Sequence, residues 1–279
     1  MVRRRTIGRG GAVAGAEETV DDDALFVLTA VLLTPAQFPS VLGDDYPAAC
    51  EALELEPYAE GYGLVLGQDS AGARWTVVID DVSLVAVAIA SWDCGMEYDL
   101  SPDERSVVCA LPGWPLAVAV AAPGVPDPHD PEPEEGDRTP LAPPDTDSWG
   151  PAQRRLGADE VALQWATWRD QIDDAQVLPS PDTPEAELKQ PNAGVLRALE
   201  QARAYVEAAP PPGRVRSSFA PGGARTLRAD GPGWSMVART DDIAFVLLDE
   251  EPCEVLPVGR GPELPGLLEA LDKMAVRPS

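Results

Sequence analysis

Trp234-Ser-Met-Val-Ala-Arg-Thr-Asp-Asp-Ile-Ala-Phe-Val-Leu-Leu248 is the most decisive stretch of this chain. Two short runs rich in Val, Ile, Phe and Trp flank a polar centre. Such residues fit a pleated, half-buried surface, and aspartates favour turns, so the stretch predicts two paired strands, Trp234 to Arg239 and Ile243 to Leu248. Working outward, Val215 to Phe219 and Ala224 to Arg228 precede it as strands, and Cys253 to Val258 follows. A closing helix is expected over Glu263 to Val276, where Leu264, Leu267, Leu268, Leu271 and Met274 share one face. Another is expected over Gly194 to Ala208, with Val195, Leu199, Ala202 and Val206 on its buried side, ended by Pro210-Pro-Pro-Gly213.

The first half carries a similar vocabulary. Ala24 to Leu33 reads as a buried strand, Thr34-Pro35 as the start of a short helix to about Leu42, and Pro47 to Leu55 as a second helix. Strands follow at Tyr62 to Leu66, Trp75 to Ile79 and Val82 to Ala90, the last two joined by Asp80-Asp81 as a tight hairpin. Ser101-Pro-Asp-Glu104 has the form of a capping box and predicts a helix to roughly Leu111, and Pro115 to Ala122 is β-like.

Trp75 and Trp234 each open a strand, an Asp-Asp pair and a second apolar run, and Cys94 and Cys253 follow them at equal spacing. The pattern predicts two related subdomains in a pseudo-twofold arrangement. Hairpins use the same residues without any repeat, and aligning the aspartates needs a two-residue gap. Strands grouped before helices, with no regular β-α-β alternation, place the fold in the α+β class, with mostly antiparallel sheets and packed helices.

Composition marks the boundaries. Residues 1–22 are Gly-rich, first basic and then acidic, and read as a flexible arm. An N-terminal α+β subdomain is expected over 23–122, a Pro/acid-rich linker over 123–157 and a C-terminal α+β subdomain over 158–279. Within the last, a helix from Ala158 to Ala175 places Val161, Trp165, Trp168 and Ile172 on one face, as core or as an aromatic platform, and spaces Arg169 and Asp173 to pair on the outside.

The chain's 279 residues carry 47 acidic against 21 basic side chains, a net charge of −26. Nucleic-acid binding rests on cations neutralising phosphates, so this field argues against direct nucleic-acid contact and against anionic membranes. It would steer a basic protein inward. Lysine occurs only at Lys189 and Lys273 and asparagine only at Asn192, amid abundant Arg, Ala and Pro. That is the coding bias of a GC-rich bacterial genome such as an actinomycete's.

The basic start lacks the unbroken apolar stretch of a signal peptide, and Ala24 to Leu33 is too short to span a bilayer, so a cytoplasmic location is expected. Cys50, Cys94, Cys109 and Cys253 form no C-x-x-C pair, which predicts reduced, mostly buried thiols, with two disulfides as the alternative in an exported protein.

Catalytic signatures are scarce. The single histidine, His129, lies in the Pro/acid tract, which excludes most imidazole-based schemes. No G-x-S-x-G elbow or phosphate loop occurs, and Gly8-Arg-Gly-Gly11 lacks the strand that a dinucleotide fingerprint requires. Carboxylate pairs at Asp44-Asp45, Asp80-Asp81, Asp173-Asp174 and Asp241-Asp242 fit turns and helix ends. The weak candidate for a divalent cation is Asp93, Glu97, Asp99 and Asp103, with Glu104 beside them; no cofactor is implied. Against the overall charge, Arg214, Arg216, Arg225, Arg228 and Arg239 cluster in the second strand region. Alternating arginines would project on one face to bind an anionic group or acidic partner, or they would pair with the chain's own carboxylates.

These features point to a non-enzymatic protein-binding factor of immunity, chaperone or adaptor type that captures a protein partner through an acidic surface. A carboxylate- or metal-dependent hydrolase or transferase, and an acidic nucleic-acid mimic, are the alternatives.

Overall fold

The computed structural model describes residues 25–133, 136–172 and 192–277. In chain order these form β1 (Phe26–Leu33), α1 (Tyr46–Ala52), β2 (Tyr62–Gln68), β3 (Arg74–Ile79), α2 (Val82–Asp93), β4 (Val107–Pro112), α3 (Pro151–Leu163) and α4 (Trp165–Asp170). Then follow α5 (Ala193–Glu207), β5 (Val215–Phe219), β6 (Arg225–Gly231), β7 (Trp234–Arg239), β8 (Ala244–Leu248), β9 (Glu251–Val258) and α6 (Leu264–Met274). Both sheets are antiparallel throughout, one ordered β1-β2-β3-β4 and the other β5-β6-β7-β8-β9, so the fold is α+β.

Two compact units divide the chain. The first joins residues up to Leu33 with Tyr58–Pro144, and the second joins Thr34–Pro57 with Asp145 onward. The segment between β1 and β2 therefore belongs to the second unit, whereas the sequence boundaries put it in the first. Its anchors are charged and aromatic: Asp45 accepts from Arg214 Nε at 2.6 Å, and Phe38 is buried under Arg155.

In the first unit β2 is buried along its whole length. Leu25, Val27, Ala30, Val65 and Ile79 pack with Val85 and Ala88 of α2 and with Leu100. Here the strand expected over Val82 to Ala90, as partner of Trp75 to Ile79 in a hairpin, is replaced by a helix. Asp81 accepts from the Leu84 amide at 3.0 Å and so caps α2 instead of turning a hairpin. Val-Ala-Val-Ala-Ile-Ala alternates, but Val85, Ala88 and Trp92 also recur at helical spacing, and the twelve residues of α2 exceed a usual strand.

The reverse happens beyond Ser101. Asp103 caps only a short turn at Glu104–Ser106, and Val107-Val108-Cys109 continue as β4, where branched side chains favour the sheet. Pro115 to Ala122 forms no strand. The motif shared by Trp75 and Trp234 thus leads into a helix in one unit and a strand in the other.

Most of the expected linker is fastened to the first sheet. Buried Gln68 donates to Gly72 O and Pro126 O and accepts from the Ala122 amide at 2.6 Å. His129 exchanges backbone hydrogen bonds with Gly72 and Arg74, and the Leu141 amide donates to Pro112 O at 2.7 Å. Proline lacks a donor but keeps its carbonyl, so a Pro-rich segment can still accept from a sheet's spare donors.

The second unit is a sheet with helices on both faces. One face meets α5 and α6 through Val215, Leu227, Ala229, Met236 and Val246. The other meets α3 and α4, where Ala158, Val161 and Trp165 pack on Val237, Phe245 and Leu247. Trp168 and Ile172 join this cluster, so the tryptophan face is core packing. The helix expected from Ala158 starts earlier, at Pro151, and breaks at Gln164.

All four cysteines are free; Cys50 is buried, while Cys94 and Cys253 are exposed, against the expectation of mostly buried thiols. The N-terminal arm and Asp173-Asp174, with the Arg169–Asp173 pair, lie outside the described residues.

Candidate functional site

The site grows from one pairing in the second sheet. Arg216 on β5 lies opposite Arg228 on β6, and Ser218 lies opposite Thr226. Side chains alternate along a strand, so these four share a face with Asp230, on the side of α3. Farther along that face, at Val237 and Phe245, the contacts to α3 are apolar. At β5 and β6 they become polar.

Helix α3 brings the rest. Arg154 and Arg155 are adjacent, and neither side chain reaches solvent. Arg154 donates to Asp44 at 2.6 Å and lies 3.3 Å from Asp249. Arg155 stacks on Phe38, its guanidinium carbon 4.5 Å from the ring centroid, and Arg216 approaches the same ring at 5.1 Å. One helical turn after Arg155, Asp159 accepts hydrogen bonds from Arg228 Nη1 and, at 2.5 Å, from the Ser40 hydroxyl.

Asp230 sits at the centre with no exposed surface. Its Oδ1 accepts from Ser235 Oγ at 2.6 Å, and its Oδ2 is 3.4 Å from Arg155 and 3.9 Å from Arg216. Burial alone would raise its pKa; the charges of Arg155, Arg228 and Arg216, with the Ser235 bond, outweigh it and hold the carboxyl below the ordinary aspartate value. Arg216 moves the other way. Burial, with like charge on Arg228 and Arg155, brings it down to about 10.

Donors outnumber acceptors. Arg155 Nε, Nη1 and Nη2, and Nε and Nη2 of both Arg216 and Arg228, are buried without a hydrogen-bond partner in the protein. Beside them opens a cleft of about 280 Å³, lined by Arg216, Arg228, Ser218, Thr226, Asp159 and Leu163 among others.

Of the five arginines singled out in the sequence, only Arg216 and Arg228 are together. Arg214 pairs with Asp45, Arg225 with Asp272 at 2.9 Å, and Arg239 with Asp241 at 2.9 Å. Arg154 and Arg155 escaped notice because they fall within the segment read as linker, where an arginine looks solvated. Their signal was the spacing Arg155, Ala158, Ala162, Trp165, which continues the buried face of the helix backward.

Asp93, Glu97, Asp99 and Asp103 are not gathered. Asp99 accepts from Ser101 and Asp103 from the Arg105 amide, and among the described residues no group of three or more His, Cys, Asp or Glu could hold a metal ion. Of the aspartate pairs among the described residues, Asp44 holds Arg154, Asp81 caps α2 and Asp242 accepts from Arg169 at 3.0 Å. His129 is exposed.

Among the described residues no helix is long and apolar enough to cross a membrane. No family model, curated protein or solved structure matches the chain.

Proposed function

We propose that the chain is a non-enzymatic cytosolic protein-binding factor, of immunity, chaperone or adaptor type, which captures a basic protein partner through its acidic surface. The reading rests on β4. This strand lies at the edge of its sheet, bonded by Leu141 only at its far end, Pro112, and exposes Val107 and Val108, with Arg105-Ser106 between them and Asp103-Glu104. An edge strand is a template for a further strand, whose backbone supplies affinity while its side chains supply selectivity. The occupant is an extended segment alternating basic and apolar residues. A net charge of −26 steers such a segment inward and repels acidic ones.

Two peptides test it by isothermal titration, one alternating Lys and Val, the other Glu and Val. The basic peptide is expected to bind, more weakly as salt rises. Placing lysine at both Val107 and Val108 is expected to abolish binding. Binding of the acidic peptide that is lost with the lysines as the basic one's is, or indifference of the basic peptide to the lysines, overturns the reading. So does magnesium-dependent turnover lost in Asp103→Ala, which would make the chain a carboxylate enzyme. Competition by DNA for the natural partner would instead mark a nucleic-acid mimic.

A further inference from the structure

We propose that the cleft between the β5–β6 ribbon and α3 is an anion-binding site, which takes the carboxylate or phosphate group of a small organic acid on Arg216 and Arg228, with Arg155 behind them. This site belongs to the second unit and does not depend on capture at β4.

Charge balance is the first argument. Three guanidinium groups, Arg155, Arg216 and Arg228, have only Asp159 and Asp230 within 4 Å among the described residues, so positive charge is in local excess at the cleft, with Asp44 the next carboxylate to act on Arg155. Buried charges persist where they are paired. Arg154, one residue before Arg155, holds Asp44 and Asp249, so the four arginines and four carboxylates balance overall and the excess of cations is confined to the cleft side.

Geometry is the second argument. Arg216 Nη2 is 3.9 Å from Asp159 and 3.9 Å from Asp230, and Arg228 Nη2 is 3.7 Å from Asp230. These separations give attraction without a hydrogen bond, and the arginine forks keep donors for planar or tetrahedral oxyanions. Arg216 keeps 16% of its side chain exposed, so the cluster opens to solvent there. Hydroxyls of Ser218 and Thr226 line the same cleft, while Ala36, Ala162 and Leu163 give apolar walls for a ligand's carbon skeleton. The volume of about 280 Å³ suits a small organic acid better than a large cofactor.

Isothermal titration with inorganic phosphate and with acetate, at constant ionic strength, tests the site. Saturable binding of at least one is expected; phosphate alone marks a phosphate ester as the ligand class and acetate alone a carboxylic acid. Arg216→Gln is expected to weaken binding about ten-fold or more. Arg225→Gln, on the opposite face, leaves it unchanged. Asp159→Asn removes a competing carboxylate and strengthens it. Should Arg216→Gln lose cooperative melting, Arg216→Lys replaces it, since it keeps the charge but not the fork, and weaker binding is again expected. Failure of both anions to bind, equal loss in Arg225→Gln, or weaker binding in Asp159→Asn overturns the proposal.

Discussion

Arg155 and Asp230 lie 3.4 Å apart with neither side chain exposed to solvent, in a chain whose composition gives no hint of a basic interior. The pair joins α3 to the C-terminal end of β6. Three guanidiniums depend on that one carboxylate for nearby negative charge, and Asp159 serves two of them as well. Breaking a buried ion pair strands its partner, which costs far more than the pair itself contributes.

Asp230→Asn is therefore expected to lose about 3–5 kcal/mol in urea unfolding at neutral pH. The pH dependence follows from the direction of the shift. The folded carboxyl titrates below the unfolded one, so its contribution is complete above the unfolded value of about 4 and is lost as pH falls through the folded value. The gap between wild type and variant should narrow only in that acidic range.

Arg216→Gln should behave in the opposite sense at high pH. Its folded pKa of about 10 lies below the unfolded value, so the unfolded chain holds the proton longer, and stability from this group rises between pH 10 and the unfolded value. Removing the guanidinium should abolish that rise. Thermal melts of both proteins from pH 9 to 11, without added phosphate or carboxylate, measure the difference.

How much of this could be read from the chain depends on the range of the forces involved. Val215–Phe219 and Trp234–Arg239 were legible residue for residue, because alternating side chains and Gly/Pro punctuation act locally. Val82–Asp93 was not, since its Val-Ala alternation suits either period and only the bed formed by Val65 and Ile79 decides between them. Arg216 and Arg228 were visible as a basic cluster. Arg155 was hidden, because the burial of an arginine is fixed by a carboxylate seventy-five positions away. Docking of Thr34–Pro57 on the second unit is equally long-range and leaves no local mark.

Phe245→Ala tests the apolar half of the same sheet face. Phe245 is fully buried, with Trp165 edge-on at 5.2 Å between ring centroids. Truncation should cost about 3–5 kcal/mol, the loss expected for a buried phenyl ring and its cavity, and urea denaturation would show it as a lower midpoint at unchanged slope.

Gly63→Ala tests the seat of α2. A Cβ on Gly63 would overlap Val85 Cγ2, so the helix packs where only a hydrogen fits. Overpacking here is expected to cost about 1–3 kcal/mol. Gly63→Ala with Val85→Ala should recover part of it, because the smaller partner restores the space. A double-mutant cycle in urea reads the coupling, and strict additivity of the two losses would show that the contact does not set the helix position.

Gln68→Leu tests whether the Pro-rich tract is held to the first sheet. The Gln68 amide is buried and fills three backbone partners, Gly72 O, Pro126 O and the Ala122 amide. Leucine has similar bulk but leaves all three without their side-chain partner, at a cost of about 1–3 kcal/mol for each buried group left unsatisfied. The loss should be local first. Hydrogen exchange at the Ala122 and His129 amides is expected to accelerate while exchange in β7 stays unchanged, since β7 belongs to the other unit. Uniform acceleration in both units would mean that Gln68 supports the whole fold, and unchanged exchange at Ala122 would mean that the tract is held by its contacts at Arg74 and Pro112 alone.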